Sequence, residues 1–347
     1  MKNTKVHTLV VGAGQAGLAA AYYLQQQGQD FVVLDERATV GEVWATRFDA
    51  LRLFSPAWAS GLPGLPWPGS KLRYPSKDEA AAYLRDYAAH FRFPIHLGQR
   101  VISLAPATGS SYVIETAAGA TYCAQHVIIS TGAYTAPKVP EFAADLPKHV
   151  LQIHSSHYHR PSQIAGVGPV AVVGSGNSAL QIAADLASTA RPVYVAFDEK
   201  TKPLPNNQLM WAFLKSTGLL RLSRSNFLGR WMMHTPEPVV SGDLQRLRGY
   251  ANAKFIGRAT GATPEGALLA RHSTTPPLEA VVWATGFQPA YDWVKLPIFD
   301  AAGVPRHQRG LTEAPGIAFL GLPWLDSRGS ALMGGAGVDA RFVVQNL

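Results

Sequence analysis

Two glycine-rich turns, one near the start of the chain and one near its middle, constrain the fold more than any other feature. The first lies in VVGAGQAGLAAAYYL from Val10, and the second lies in VVGSGNSALQIAADL from Val172. Each joins an apolar run typical of a buried strand to a stretch of helical composition. A strand, glycine turn and helix in this order is the unit that binds the pyrophosphate of a dinucleotide. The sequence therefore predicts two nucleotide-binding units in one chain.

The first turn has the complete GxGxxG spacing. Gly12 permits the tight turn, Gly14 lets the backbone approach a pyrophosphate, and Gly17 lets the helix pack closely on the strand. The positive end of that helix faces the phosphates. A second predicted strand, 31–34, ends at Asp35, whose carboxylate is suited to accept hydrogen bonds from ribose hydroxyls. This full context favours a ligand-binding turn over a structural one.

The second turn repeats the arrangement with Gly174, Gly176 and Ala179, and alanine is an accepted variant at the third position. Asn177 and Ser178 are expected to help cap the helix that follows. A single dehydrogenase site needs one dinucleotide, whereas two turns predict two. FAD in one site and a nicotinamide nucleotide in the other would allow hydride to pass between them.

The order of the elements predicts how the two units are connected. VIISTG at 127–132 and VVWATGF at 281–287 each run from a strand into a turn of small residues, as expected where the chain crosses between domains. The predicted fold class is therefore α/β, with two Rossmann-type dinucleotide-binding domains, the second inserted in the first. The FAD-binding domain is assigned to 1–160 and 287–347, and the NAD(P)H-binding domain to 161–286.

Composition limits the functional classes that remain. The 347 residues are 47% hydrophobic, and the net charge of +8 suits anionic ligands such as nucleotides. The basic residues are scattered, so no nucleic-acid partner is expected. The lone Cys123 rules out an intrachain disulfide. The amino terminus reads as a strand and no apolar run is long enough to span a bilayer, so a cytoplasmic protein without stable membrane insertion is expected. A homodimer is compatible with the sequence.

Several stretches carry a resemblance to a known family: GAGQAG, GEVWATRFDALRLFSPAWASGLPGLPWPG, RYPSKDE, STGAYTAPKVP, GSGNSA, ATGF and GLPWLDSRGSA. Along nearly its whole length the chain resembles the flavin-dependent class B monooxygenases, in particular the short bacterial flavoprotein monooxygenases. The resemblance implies FAD and NADH or NADPH as cofactors, with a small molecule and O2 as substrates. It also implies oxygen transfer through a C4a-(hydro)peroxyflavin to soft nucleophiles, by sulfoxidation, N-oxidation or Baeyer–Villiger oxidation.

The same resemblance and the two turns together assign the cofactor-binding residues. These are Gly12, Gly14, Gln15, Gly17, Asp35, Glu36, Arg37, Trp44, Val101, Thr131, Gly132, Gly174, Gly176, Asn177, Ser178, Asp198, Glu199, Thr285, Gly286 and Gly321.

The catalytic assignments rest on the family's identifying motif, FxGxxxH followed four residues later by Tyr or Phe. His154 and Tyr158 match it, whereas Lys148 and Val150 stand at the Phe and Gly positions. The catalytic residues implied are Phe54, His154, Tyr158 and Asn177. Phe54 stands where longer relatives place an Asn, and an ordinary core aromatic is an equal alternative. A metal site at the nearby histidines is disfavoured because no cysteine or carboxylate completes a ligand set there.

The residues after the second unit bear on the choice of nicotinamide cofactor. Asp198 and Glu199 fall where relatives that prefer NADPH carry basic residues. A carboxylate accepts a hydrogen bond from a ribose 2′-hydroxyl and repels a 2′-phosphate, which predicts that NADH is accepted. Lys200 and Lys202 lie close enough in sequence to support some NADPH use, and solvated charges at a strand end are the alternative interpretation.

Other functions remain open at this stage. A flavin disulfide reductase normally needs a second cysteine, which this chain lacks. An NADH oxidase or electron-transfer reductase uses the same two cofactors without inserting oxygen, and a redox sensor is a third interpretation. Residues 208–233 alternate basic and apolar side chains without a clean helical period. This pattern favours a packed insertion, with a substrate lid or a membrane-contacting surface as alternatives.

Overall fold

A computed structural model describes residues 3–109 and 111–347. The strands are β1 Asn3–Val11, β2 Phe31–Leu34, β3 Ile95–His96, β4 Val101–Pro106, β5 Tyr112–Thr116, β6 Thr121–Ile129, β7 Ala136–Pro137, β8 Leu151–His154, β9 Val170–Val173, β10 Val193–Ala196, β11 Pro203–Leu204, β12 Val239–Val240, β13 Ala253–Phe255, β14 Ala259–Ala262, β15 Leu268–Ala270, β16 Ala280–Trp283, β17 Phe287–Gln288 and β18 Ile317–Phe319. The α-helices are α1 Gln15–Gln26, α2 Glu42–Ala45, α3 Lys77–Phe91, α4 Asn177–Ala187, α5 Gln208–Ser216, α6 Phe227–Met233, α7 Ser241–Arg248 and α8 Ala336–Asn346.

The first sheet combines a parallel Rossmann core with an antiparallel extension. β3, β2, β1 and β6 lie side by side in that order, and all pair in parallel. The far edge of β6 is divided between two partners. Its first half pairs antiparallel with β5, which continues to β4, and its last three residues pair parallel with β18. The first domain is therefore completed by a strand from the end of the chain.

The second sheet is parallel throughout, in the order β13, β10, β9, β16 and β8. The chain enters it at β8 and leaves it after β16, so the second domain is inserted in the first, and the predicted fold class is confirmed. β8 lies in this sheet, whereas the predicted division at residue 160 assigns it to the first domain. It is an edge strand with two exposed residues, so it lacks the continuous apolar run that marks the buried strands.

Burial explains why these strands form where they do. Every residue of β2, β9 and β16 is buried, as expected of parallel strands covered by helices on both faces. α1 packs beside α8 in the first domain, and α4 packs beside α7 in the second. The two chain segments that connect the domains pair with each other, because β7 and β17 form a short antiparallel ladder. Within the described residues, no helix is both long and apolar enough to cross a membrane.

Candidate active site

The first glycine turn leaves space at its middle glycine and nowhere else. A Cβ on Gly12, whose φ is +105°, would lie 2.8 Å from the carbonyl oxygen of Ser130. A Cβ on Gly17 would lie 1.9 Å from the carbonyl oxygen of Gly12. A Cβ on Gly14 would meet no atom within 4 Å. The outer glycines are therefore needed for packing, whereas Gly14 borders open space at the N-terminus of α1.

The second turn has the same geometry. Gly174 has a φ of +154°, and a Cβ there would lie 2.2 Å from the carbonyl oxygen of Ala284. A Cβ on Gly176 would meet no atom within 4 Å. Ala179 is fully buried at the third position. Each turn thus packs its first glycine against the domain crossover and opens beside its second, which is the arrangement a pyrophosphate requires.

The acid predicted to bind ribose lies at the mouth of the first turn. The Asp35 carboxylate accepts hydrogen bonds from the N–H groups of Ala13 at 2.6 Å and Arg37 at 2.9 Å. The exposed side chain of Arg37 lies 3.5 Å from Glu36. The residues just before Val101 pack against the loop that follows β2, since the Gln99 N–H donates to the Asp35 backbone carbonyl at 2.8 Å. The structure therefore brings the Arg37 backbone to the Asp35 carboxylate and the loop before Val101 to the Asp35 backbone.

Five further predicted residues lie on α1, against it or in the crossover beside it. The Trp44 indole N–H donates to Gln15 Oε1 at 3.4 Å, which ties α2 to the start of α1. A Cβ on Gly321 would lie 2.9 Å from that of Ala16, so the loop after β18 lies directly on α1. Thr131 is exposed, and Gly132 next to it has open space around its Cα.

Sequence reasoning missed Ser130, which locks the first turn to the crossover. Its buried hydroxyl donates to the carbonyl of Val11 at 2.8 Å and lies 3.0 Å from that of Gly12. The signal in the sequence was that a small hydroxyl residue begins the STG turn at 130–132. Tyr291 was also missed. Its hydroxyl donates to the Gly132 carbonyl at 3.2 Å, and burial raises the pKa of Tyr291 to about 12.

The second acid lies close to the second turn. The Asp198 N–H donates to Ser175 Oγ at 2.7 Å, and the Asp198 carboxylate lies 3.9 Å from the exposed guanidinium of Arg258. Glu199 contacts His272, with 2.8 Å between Oε1 and Nε2. Asp198 therefore adjoins the turn directly, while Glu199 is paired further along the surface.

Asn177 and Ser178 differ in what they offer at the start of α4. Asn177 Oδ1 accepts a hydrogen bond from the Val240 N–H at 2.8 Å, so this side chain fastens α4 to β12. The N-cap position is occupied by Gly176, which has no side chain to form a cap, and Asn177 and Ser178 are the first two residues of the helix. Ser178 is exposed beside the open turn.

His154 holds the second crossover in place. Its Nδ1 accepts from the Ser156 N–H at 3.2 Å, so Nε2 carries the hydrogen that is donated to the Gly286 carbonyl at 2.9 Å. Burial lowers the pKa of His154, which favours the neutral ring. On the other side of the same crossover, the Thr285 hydroxyl donates to the Lys138 carbonyl. Thr285 and Gly286, the two predicted residues of this crossover, are thus each fixed by a hydrogen bond, to Lys138 and to His154.

Tyr158 is fully buried in the core of the second domain. Its hydroxyl donates to Asp185 Oδ2 of α4 at 2.9 Å, and its ring centroid lies 6.5 Å from that of Phe48. Burial, with the Asp185 charge, raises the pKa of Tyr158. Its hydroxyl is thus committed to α4. Phe54 is 40% exposed, which excludes the core-aromatic interpretation of this residue.

Other candidate sites are weaker. Among the residues that the structure describes, no group of three or more His, Cys, Asp or Glu side chains is arranged to hold a metal ion. One cleft of about 560 Å³ is lined by residues that include Trp58, Trp67 and Lys215. Another of about 580 Å³ contains Arg221 and Arg309. No residue lining either cleft belongs to a glycine turn.

The fold and the two open turns define an oxidoreductase that binds two dinucleotides, and comparisons with known proteins identify its kind. The family model described as pyridine nucleotide-disulphide oxidoreductase matches residues 9–211. A CzcO-like oxidoreductase of Geobacillus kaustophilus is 40% identical over 99% of this chain and 98% of its own length. The solved flavin-containing monooxygenase of Stenotrophomonas maltophilia is 30% identical, with a TM-score of 0.79, over 99% of this chain and 98% of that one.

An indole-3-pyruvate monooxygenase of Oryza sativa is 34% identical over 51% of this chain and 44% of its own length. The chain belongs to the pyridine nucleotide-disulphide oxidoreductase family and, within it, to the class B flavoprotein monooxygenases. It is an enzyme that uses FAD and a nicotinamide nucleotide.

Proposed function

We propose that this protein uses electrons from NAD(P)H to transfer one oxygen atom of O2 to a soft nucleophile, with a thioether as the first candidate and amines or ketones as others. For a thioether, NADH, H+ and O2 are consumed. One oxygen atom forms the sulfur–oxygen bond, and the other leaves as water with both electrons from the nicotinamide.

The observation that supports the proposal is that each of the two sheets carries an equivalent glycine turn. The two domains are linked by chain segments that pair with each other. Gly14 and Gly176 both border open space, and β7 lies against β17 between their domains. Ligands bind at the carboxyl ends of strands in such sheets. Two dinucleotides held on linked domains suit a reaction in which one reduces the other.

The residues of this chain have definable tasks in the reaction. Bound FAD supplies the two-electron chemistry that activates oxygen. Asp35 is suited to orient the ribose of the first dinucleotide, and Trp44 with Gln15 borders the same turn. We assign His154 and Tyr158 as positioning residues, because their side chains bond to the Gly286 carbonyl and to Asp185. Neither is assigned proton transfer to the substrate.

NADH acceptance is supported by the position of Asp198. Its N–H bonds to Ser175 inside the second turn, which keeps Asp198 beside that turn, and a carboxylate there is suited to accept a hydrogen bond from a ribose 2′-hydroxyl. Arg258, 3.9 Å away, partly offsets the negative charge and leaves room for NADPH. We therefore assign NADH as an accepted cofactor.

The test is oxygen incorporation from labelled O2. The purified protein is saturated with FAD and supplied with NADH, ¹⁸O₂ and a thioether such as methyl phenyl sulfide. The expected result is a sulfoxide that carries one ¹⁸O atom, formed in proportion to the NADH consumed. If NADH is consumed while all the oxygen appears as hydrogen peroxide and no thioether, amine or ketone is oxygenated, the protein is an oxidase. Transfer of the electrons only to an added acceptor would make it a reductase.

A further inference from the structure

Residues 200–236, here called the basic apolar segment, expose an unusual number of large apolar side chains. The sequence favours a packed insertion here, and this holds for only part of the segment. Trp211 is buried, whereas six other large apolar residues of the segment are exposed. Their exposed fractions are Leu204 45%, Leu209 81%, Phe213 55%, Phe227 80%, Leu228 44% and Trp231 60%. Large apolar side chains exposed this often within one stretch of chain indicate a surface that contacts something else.

The exposed side chains follow the helical repeat. Leu209 and Phe213 are four residues apart on α5, and Phe227 and Trp231 are four residues apart on α6. Side chains at this spacing share one face of a helix. The inner side of each helix is packed, through Trp211 in α5 and through Gly229 in α6, which has no room for a Cβ beside the Ser223 carbonyl. Each helix thus presents one apolar pair outward.

The charges in this segment have one sign. Six lysines and arginines and no aspartate or glutamate lie between Glu199 and Glu237. One of the six, Arg224, donates to the carbonyls of Trp324 and His307, so it is committed to the fold. The other five cations are exposed: Lys200, Lys202, Lys215, Arg221 and Arg230. Large apolar residues surrounded by exposed cations are the composition of an interfacial membrane-binding surface.

The segment is anchored to the rest of the protein by side-chain hydrogen bonds, which argues against a mobile lid. Gln208 Oε1 accepts from the Trp58 indole N–H at 2.8 Å, and its amide donates to the Leu72 carbonyl at 2.6 Å. Ser223 Oγ donates to Asp326 Oδ1 at 2.7 Å. These bonds tie the segment to the first domain at two internal points, Gln208 and Ser223, so its outward side chains have a stable support.

We propose that the basic apolar segment docks this enzyme on an anionic lipid surface. Phe227, Trp231, Leu209 and Phe213 enter the headgroup region, while the exposed cations pair with lipid phosphates. A second copy of the chain fits less well, because a two-fold interface would bring the same cations of both copies together. The inference is independent of which molecule is oxygenated.

The test is co-sedimentation of the FAD-loaded protein with vesicles of phosphatidylcholine alone or with about one quarter phosphatidylglycerol. We expect strong partitioning to the anionic vesicles, weak partitioning to the neutral ones, and a decline in about 1 M NaCl, where the Debye length is about 3 Å. The double variant Phe227→Ser/Trp231→Ser should lower the partition coefficient at least about tenfold. A single charge variant, Arg230→Glu, leaves the apolar pairs intact and should lower it severalfold.

The control is Val167→Ser, because Val167 is 81% exposed but lies outside the segment, and this variant should partition like the wild type. NAD(P)H oxidation in vesicle-free solution reports that each variant is folded. Absence of wild-type binding to anionic vesicles overturns the proposal, as does an equal loss in the control. Self-association that depends on Phe227 and Trp231, without vesicle binding, identifies a second copy as the occupant and also overturns it.

Discussion

At the scale of single residues, the middle glycine of each turn borders open space where we propose that a cofactor binds. Gly14 has φ −75° and Gly176 has φ −99°, so neither needs glycine for its backbone conformation. Both border open space, unlike the glycines on either side of Gly14. The fold therefore does not require glycine at either position, which agrees with our proposal that each lies against a cofactor pyrophosphate.

Substitution of these two residues should separate the two cofactor sites. Gly14→Val should lower FAD affinity at least about 100-fold, because its side chain occupies the place of the pyrophosphate. Gly176→Val should retain FAD and raise the KM for the nicotinamide nucleotide by at least about tenfold. Flavin absorbance after titration and steady-state kinetics measure the two effects. Wild-type flavin binding by Gly14→Val, with an intact fold, would contradict the assignment of the first turn.

The nicotinamide preference should depend on one carboxylate. Asp198→Ala should raise kcat/KM with NADPH relative to NADH by roughly tenfold, since it removes a 2′-hydroxyl acceptor and a charge that repels 2′-phosphate. Glu199→Gln is the matched control, because Glu199 is paired with His272 and should change the ratio less. An unchanged ratio in Asp198→Ala would show that this carboxylate is a solvated strand-end charge.

The glycines could be recognised from the sequence because their spacing lies within one short stretch of chain, although Gly12 and Gly174 pack against Ser130 and Ala284 far along the chain. The sequence predicted less about Asn177 and Tyr158, whose partners lie elsewhere in the chain. Asn177 bonds to Val240, 63 residues away, and Tyr158 bonds to Asp185, 27 residues away. Residue type and spacing identify what a side chain can donate or accept, whereas the fold decides which partner it meets.

At the scale of elements, the loop before α8 depends on close backbone packing. A Cβ on Gly335 would lie 1.9 Å from the Gly329 carbonyl oxygen. Gly335→Ala should therefore lower the free energy of unfolding by about 1–3 kcal/mol. Gly242 in α7 is a matched control because a Cβ there would meet no atom within 4 Å.

Gly242→Ala should raise the free energy of unfolding by about 0.5–1 kcal/mol, since alanine favours a helix over glycine. Denaturant unfolding at one fixed FAD concentration compares the two variants with the wild type. Equal effects of both substitutions would contradict the packing argument.

Elements were predictable to the extent that their sequences mark them locally. The predicted strand at 31–34 coincides with β2, a continuous apolar run between turns. β8 has only four residues, and its partner β16 begins at Ala280, so no local pattern reveals the pairing. The antiparallel extension formed by β4 and β5 was not predicted, although these strands pair with their neighbours in sequence.

At the scale of the whole molecule, stability should depend on pH through a buried histidine. Burial, with the nearby Arg224, lowers the pKa of His307 to about 4. The unfolded chain takes up a proton near pH 6.5, which the folded molecule resists until about pH 4. The contribution is fully present above pH 6.5 and is lost as the pH falls through this window.

The wild type should therefore lose more thermal stability between pH 7 and 5 than His307→Asn does, by a few degrees in Tm. Asparagine retains a side-chain acceptor for the Gly310 N–H, which donates to His307 Nδ1 at 3.1 Å. His90→Asn, at an exposed position, is the control. Parallel pH profiles for the wild type and His307→Asn would contradict this account.

The division of β6 between β5 and β18 has a consequence for the order of synthesis on the ribosome. β18 is made after every strand of the inserted sheet, yet it completes the edge of the first. Domains fold as units while the chain emerges. The inserted domain can complete its native sheet early, whereas the first domain keeps an open strand edge until residues 317–319 are made. During synthesis, the nascent chain therefore passes through a state in which the inserted domain is folded and the first domain still lacks one strand.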